Sequence, residues 1–266
     1  MILTLNRMGR GRFVLYAIAG ATSAFLLLPV VFIAFLSFGS SQWLQFPPPG
    51  WTLKWYEVLF ADPRWLASML VSLKVGLCVM ALSIALGLPA AFAIVRGRFP
   101  GRAALHAFFI SPMIVPVIIL AIALYALILK LGLNGSFLAF VAAHLILALP
   151  FSVICIVNSL EGFDISVEKA AIICGATRLQ AIRRVTLPAI RLGILSGALF
   201  SFLVSWDEVV LSIFMASPGT QTLPVKMWTT LRQDLTPVIA AVSTLLIVMT
   251  IAVMLVAAFL RRRIAR

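Results

Sequence analysis

Residues 66–95 read LASMLVSLKVGLCVMALSIALGLPAAFAIV, an apolar run carrying one charge, Lys74, near its start. About 20 apolar residues carry a helix across the bilayer core, so this run is long enough to span. Five further runs have the same character, at about 13–38, 103–131, 136–160, 192–216 and 238–260. The 266 residues are 63% apolar and 11% charged, whereas a soluble domain carries about 25% charge. So few charges do not cover a water-facing surface. The expected fold class is therefore an all-α integral membrane protein with six transmembrane helices and both termini on one side.

Basic residues settle which side. The chain has 21 Lys+Arg against 8 Asp+Glu, a formal net charge of +13. Arg7, Arg10, Arg12, Arg96, Arg98, Arg102, Lys169, Arg178, Arg183, Arg184, Arg191, Arg261, Arg262, Arg263 and Arg266 fall on one face of the six-span arrangement. Only Lys54, Arg64, Lys74, Lys130, Lys226 and Arg232 fall on the other. The positive-inside rule places both termini in the cytoplasm. Short clusters between apolar runs do not form the continuous basic face that nucleic acid needs. The first apolar run is long for a signal-peptide core and lacks a clear A-x-A end, so an uncleaved first span is expected.

The connections differ in kind. Residues 96–102 (RGRFPGR) and 132–135 (GLNG) are tight turns, which imply antiparallel neighbours. The outer segment 39–65 holds Pro47, Pro48 and Pro49, then Trp51, Trp55 and Tyr56, suited to an interfacial helix or aromatic anchor. Pro112 and Pro116 should kink the third span, either to shape a path or to aid packing. Cys78, Cys155 and Cys174 make no C-x-x-C pair, so neither a disulfide framework nor a zinc site is supported. His106 and His144 are isolated, and a lone membrane histidine is expected to be packed and hydrogen-bonded.

The segment 161–191 is the most informative cytoplasmic stretch. Val167, Ala170, Ala171 and Cys174 recur at i, i+3, i+4, i+7, a narrow apolar stripe on one helix. Ser166 can cap its start, with Glu168 in the first turn. Gly175 is a natural stop. Thr177-x-x-Gln180 then forms a capping box for a second short helix, with Leu179, Ile182 and Val185 apolar and Arg178, Arg183 and Arg184 outward. Pro188 should break or kink the chain before the next span. Two uses fit this segment: a projecting knob whose small residues admit another protein's backbone, or a solvated connector.

Ala170-Ala171-x-x-x-Gly175, followed by Leu187-Pro188, resembles the EAA loop of binding-protein-dependent ABC importer permeases. The resemblance covers roughly 66–260 and implies the type I ABC importer transmembrane-domain fold. Residues 1–65 then form a cytoplasmic tail, a first span and a periplasmic loop, and 261–266 a basic cytoplasmic tail. It implies that the loop is a coupling helix docking in a groove of a cytoplasmic ATPase, through Glu168, Lys169, Ala170, Ala171, Gly175, Leu187 and Pro188. Where the family carries glutamate just before Ala-Ala, this chain has Lys169, with Glu168 one residue earlier.

The fifth run carries Ser205, Trp206, Asp207, Glu208 and Ser212. A carboxylate at membrane depth costs roughly 2.5–3.5 kcal/mol or more, so it should face a partner or an aqueous cavity. On one continuous helix Ser205, Glu208 and Ser212 would share a face, with Asp207 displaced by about 100°. This face either lines a substrate path that attracts cations or is satisfied by amides or a basic neighbour. Asp207-Glu208-Val209-Val210-x-Ser212-x-Phe214, with Thr222-Leu223-Pro224-Val225-Lys226-Met227-Trp228, is similar to the second permease of spermidine/putrescine importers. Permeases for opines, aminobutyrate, aminoethylphosphonate and ferric iron share parts of it.

The resemblance implies a non-catalytic permease subunit of the bacterial inner membrane, forming half a pathway. Its partners would be a second homologous permease, a homodimeric ATPase and a periplasmic solute-binding protein, in a lipid bilayer. ATP and Mg would be bound by the ATPase, since no G-x-x-x-x-G-K-[ST] loop occurs here. No H-E-x-x-H or G-x-S-x-G marks the rival class, an intramembrane enzyme. A secondary transporter would instead show internal halves with broken helices in matching positions.

Overall fold

The computed structural model describes the backbone of residues 11–233 and 236–265, with side chains through 252 and that of Leu255. Arg7, Arg10 and Arg266, and the side chains of Arg261, Arg262 and Arg263, lie outside the described residues. Helices are the main regular elements of the described chain. Its only β pairing is an isolated bridge between Gly39 and Trp51.

The chain divides into two compact units. One comprises α1 (Gly11–Leu36), α2 (Lys54–Ala61) and most of α13 (Pro237–Ala265). Most of α1 is exposed; a helix apolar all round is the type that meets lipid or a packed core. The short α2 is pinned beneath the end of α1. Trp55 Nε1 donates to Gly39 O at 2.6 Å, and Tyr56 Oη lies 2.7 Å from Ser37 Oγ. The helix expected around Trp55 and Tyr56 is therefore present, and its aromatic residues secure the loop.

The other unit holds α3 (Pro63–Arg96), α4 (Arg102–Ile110), α5 (Val117–Lys130), α6 (Phe137–Glu161), α7 (Ile165–Ile173), α8 (Arg178–Ala181), α9 (Leu187–Ala189), α10 (Arg191–Trp206), α11 (Val210–Met215) and most of α12 (Leu223–Gln233). Its centre is the mutual packing of α3, α6 and α10. Apolar attraction between membrane helices is weak, so small residues that admit close backbone approach carry the interface. A Cβ at Gly197 would lie 3.2 Å from both Cα and O of Ser152, and one at Gly87 2.8 Å from Ser152 Oγ. Ser152 of α6 thus sits between glycines of α3 and α10.

Three described helices are long and apolar enough to cross a membrane: 12–36, α3 and α6. Counting each of two bent pairs as one span gives five among the described residues, not the six expected. One is α4 with the 3-10 turn Ser111–Met113, bent 99° against α5. The expected kink at Pro112 and Pro116 is located there. The other pair is 178–189 against α10, bent 67° directly after Pro188, where a break was expected. The apolar part described for α13 is Pro237–Ala252. The tight turn 132–135 does not make α5 and α6 principal neighbours; α5 packs chiefly on α11.

Candidate functional site: the α7–α9 segment and the interrupted fifth span

The α7–α9 segment rests on an apolar cluster at one end of the bundle. Ala90, Ala91 and Ile94 of α3 meet Val153, Ile156, Val157 and Leu160 of α6, and Ile190 is buried among them. Leu187 and Phe163 pack against this cluster. The segment is thereby attached at both ends to the long helices.

Its internal breaks follow the local chemistry. Asp164, not Ser166, caps α7: its carboxylate accepts from Ser166 N at 2.9 Å and from the Ser166 hydroxyl at 2.7 Å. These bonds hold the Asp164 carboxyl below its usual range. Ser166 therefore lies in the first turn and gives both its hydrogens to Asp164, so the cap falls two residues earlier than expected. Gly175 ends the helix at φ +94°, with Ala176 N donating to Ala171 O and Gly175 N to Ile172 O, both at 3.0 Å. The left-handed backbone there is open to glycine and strained for branched residues. The Thr177–Gln180 capping box is present.

Val167, Ala170 and Cys174 are exposed and Ala171 is half-buried. Ile173 is 86% exposed. Leu179 is also exposed, contrary to its expected packing; Ala181 and Thr186 are buried instead. The register shifts because a π turn, Ile182–Thr186, follows α8. Arg178, Arg183 and Arg184 face outward and Lys169 is exposed, as is Pro188.

Glu168 points inward. Its carboxylate accepts from Arg96 Nη1 of α3 and from Thr186 Oγ1. Burial opposes its ionisation, but these two hydrogen bonds and the charge of Arg96 outweigh it and hold the carboxyl below its usual range. The Arg96 guanidinium also lies over Phe92 and Phe163, at 5.1 and 5.8 Å from the ring centres. Glu168 is thus spent on an internal tether, which does not suit it to replace a carboxylate offered to another subunit. By sequence Arg96 is only an orienting charge; its partner lies 72 residues away, beyond any local pattern.

The fifth span is not one helix. It stops at Trp206 and restarts at Val210. The expected common face of Ser205, Glu208 and Ser212 therefore does not exist as a helical face. Glu208 Oε1 instead accepts from Leu211 N at 2.8 Å, capping the restart and competing with helix continuation. Asp207 is exposed at the interruption, and Trp206 stacks on Phe202 with ring centres 5.5 Å apart.

Ser205 and Ser212 do meet, through His144. This fully buried α6 residue places Nδ1 3.0 Å from Ser205 Oγ and Nε2 3.0 Å from Ser212 Oγ. One ring nitrogen of a neutral imidazole donates and the other accepts, and rotatable hydroxyls complete either arrangement. The packed, hydrogen-bonded histidine expected from the sequence is confirmed. Its clamp across the interruption was not foreseen.

Interrupted and sharply bent apolar helices packed around a small-residue centre, several of them long enough to cross a bilayer, fit the class of multi-helix membrane proteins. Residues 83–266 match the family described as "Binding-protein-dependent transport system inner membrane component", and the chain belongs to that family. It is a permease of the ABC importer class. It is 28% identical over 258 residues to the spermidine/putrescine transport system permease protein PotC of Escherichia coli (strain K12), covering 97% of this chain and 96% of that one. It is 31% identical over 230 residues to the putrescine transport system permease protein PotI of the same strain, covering 84% and 82%. A solved bacterial ABC transporter involved in the import of the acidic polysaccharide alginate shares the fold, with TM-score 0.75, 18% identity and coverage of 96% and 97%.

Proposed function

We propose that this chain is one half of the translocation pathway of an ATP-driven polyamine importer, crossing the inner membrane six times with both termini in the cytoplasm. A second homologous permease supplies the other half. A homodimeric ATPase binds ATP and Mg, and a periplasmic binding protein delivers the solute. The family's binding-protein-dependent character and the names of the two polyamine permeases support these assignments.

The observation that carries the solute reading is the interruption at 207–209 with an exposed carboxylate beside it. Unpaired backbone at membrane depth is tolerated only where it is enclosed by protein or lines a water-filled cavity. An exposed Asp207 favours the cavity, and a carboxylate there favours a cation over an anion. Attraction at about 4 Å is roughly 4 kcal/mol at intermediate dielectric, enough to select an amine without trapping it. Ser205, Trp206, Glu208 and Ser212 frame the interruption.

The coupling reading rests on α7. Ala170 is exposed and Ala171 half-exposed on a short helix fixed by the Glu168 tether and ended by Gly175. Small side chains admit close approach of an ATPase surface, while Lys169, Leu187 and Pro188 set the charge and exit angle of the segment. ATP binding draws the two coupling helices of the dimer together, and hydrolysis releases them. The chain itself carries no catalytic step.

The test is copurification of the assembled complex, followed by measurement of solute-stimulated ATPase activity with binding protein loaded with spermidine, putrescine, an amino acid or a phosphonate. Stimulation by the polyamines is expected. Stimulation by the phosphonate alone overturns the polyamine assignment and leaves the permease assignment standing.

A further inference from the structure

We propose that the cavity between the ends of α3 and α6 binds the headgroup of an anionic phospholipid bearing hydroxyls, of the phosphatidylglycerol type. The cavity has a volume of about 440 Å³, within the range that holds small ligands. It opens where two membrane-length helices end, beside the start of α7. On the six-span arrangement proposed above, that is headgroup depth on the cytoplasmic side, where the α7–α9 segment begins.

Its lining is divided as a lipid head is divided. Val95, Leu160 and Phe163 form an apolar wall, while Arg98, Arg102 and Glu161 supply charge. Arg96 also lines the cavity, but its charge is matched by Glu168. Arg98 and Arg102 are exposed and have no ion-pair partner among the described residues. Two guanidinium groups beside an apolar wall suit a phosphate whose glycerol backbone continues toward lipid. Basic pockets between membrane helices on the cytoplasmic side are recurrent headgroup sites. Glu161 repels a bare phosphate, yet it accepts hydrogen bonds from the hydroxyls of a glycerol head. The lining therefore selects phosphatidylglycerol over phosphatidic acid and over free phosphate.

This site goes beyond the transport role and does not depend on the solute. Native mass spectrometry of the full-length chain in detergent, with phosphatidylglycerol, phosphatidic acid or phosphatidylcholine added, reads it directly. One phosphatidylglycerol per chain should be retained, roughly tenfold more strongly than phosphatidylcholine. Arg98→Gln with Arg102→Gln should lose roughly tenfold in that affinity. Arg98→Lys with Arg102→Lys should keep most of it, and Glu161→Gln should narrow the preference over phosphatidic acid. Both arginines are exposed, and unchanged thermal unfolding of the variants verifies the fold. Equal retention by the wild type and the glutamine pair overturns the proposal, as does equal binding of phosphatidylcholine. Displacement by millimolar inorganic phosphate identifies a free-anion site and overturns the lipid assignment. Release of the lipid on adding the ATPase marks the cavity as a protein contact and overturns it too.

Discussion

The α7–α9 segment and the α10–α11 span both interrupt a helical path, by opposite means. In α7–α9 each break is local: Asp164 starts one helix, Gly175 ends it, and Thr177 with Gln180 starts the next. Long-range support comes from the bonds that Arg96 and Thr186 donate to Glu168. In α10–α11 no glycine or proline occupies 207–209. The two halves are held in register by a buried histidine from another helix. A break written locally gives a preformed knob that can be presented outward. In α10–α11 Glu208 caps the restart locally, but the alignment of the two halves is tied to the packing of the bundle through His144.

The largest effect should follow from removing the neighbour. His144→Leu leaves the Ser205 and Ser212 hydroxyls buried without their partner, at about 1–3 kcal/mol each. Thermal unfolding of the purified chain should show a loss of roughly 2–6 kcal/mol. Removing both hydroxyls as well, with Ser205→Ala and Ser212→Ala, should recover part of it. A loss below about 0.5 kcal/mol would mean that the clamp does not hold the span.

A smaller, local effect is expected at Gly175. A branched residue at φ +94° is strained by about 1–3 kcal/mol. Gly175→Val should leave the bundle assembled but abolish solute-stimulated ATPase activity, whereas Gly175→Asn, which enters the left-handed region more readily, should keep most of it. Normal stimulation and uptake in Gly175→Val would show that the α7–α8 break does not transmit the signal.

The smallest effect concerns the tether. The folded-state acidity of Glu168 is raised, so its contribution is fully present above its ordinary pKa of 4.5 and is lost as pH falls below that value. Hydrogen-exchange protection of α7, corrected for intrinsic rates, should be level from neutral pH to about 5 and fall at lower pH. Glu168→Gln should remove that fall. The same fall in Glu168→Gln would assign it to another group, Asp164 being the nearest candidate.

The legibility of the two regions differs for the same physical reason. Caps, a stop glycine and a proline exit are signals within a few residues, so the division of 161–191 into two short helices could be read directly. Even there, Asp164 outcompeted Ser166 as cap, and the π turn at Ile182–Thr186 shifted the face on which Leu179 was expected to pack. The membrane character and the bends at Pro112, Pro116 and Pro188 were equally plain. The interruption at Asp207 was not, because helical periodicity presumes continuity. Its cause combines the Glu208 cap with serines that meet His144 more than 60 residues away. Arg96 was hidden in the same manner. Contacts between distant helices leave no spacing to count.

Uptake of labelled spermidine and putrescine into proteoliposomes holding the complete transporter, with Asp207→Asn and Glu208→Gln combined in this chain, addresses the proposed transport role at its chemical core. The complex should assemble and keep its basal ATPase activity, because Asp207 is exposed and the glutamine oxygen at 208 can still accept from Leu211 N. Uptake of both polyamines should fall by at least tenfold, the equivalent of about 1.4 kcal/mol of lost attraction. Wild-type uptake by this well-assembled double variant would contradict a cation path at the interrupted span.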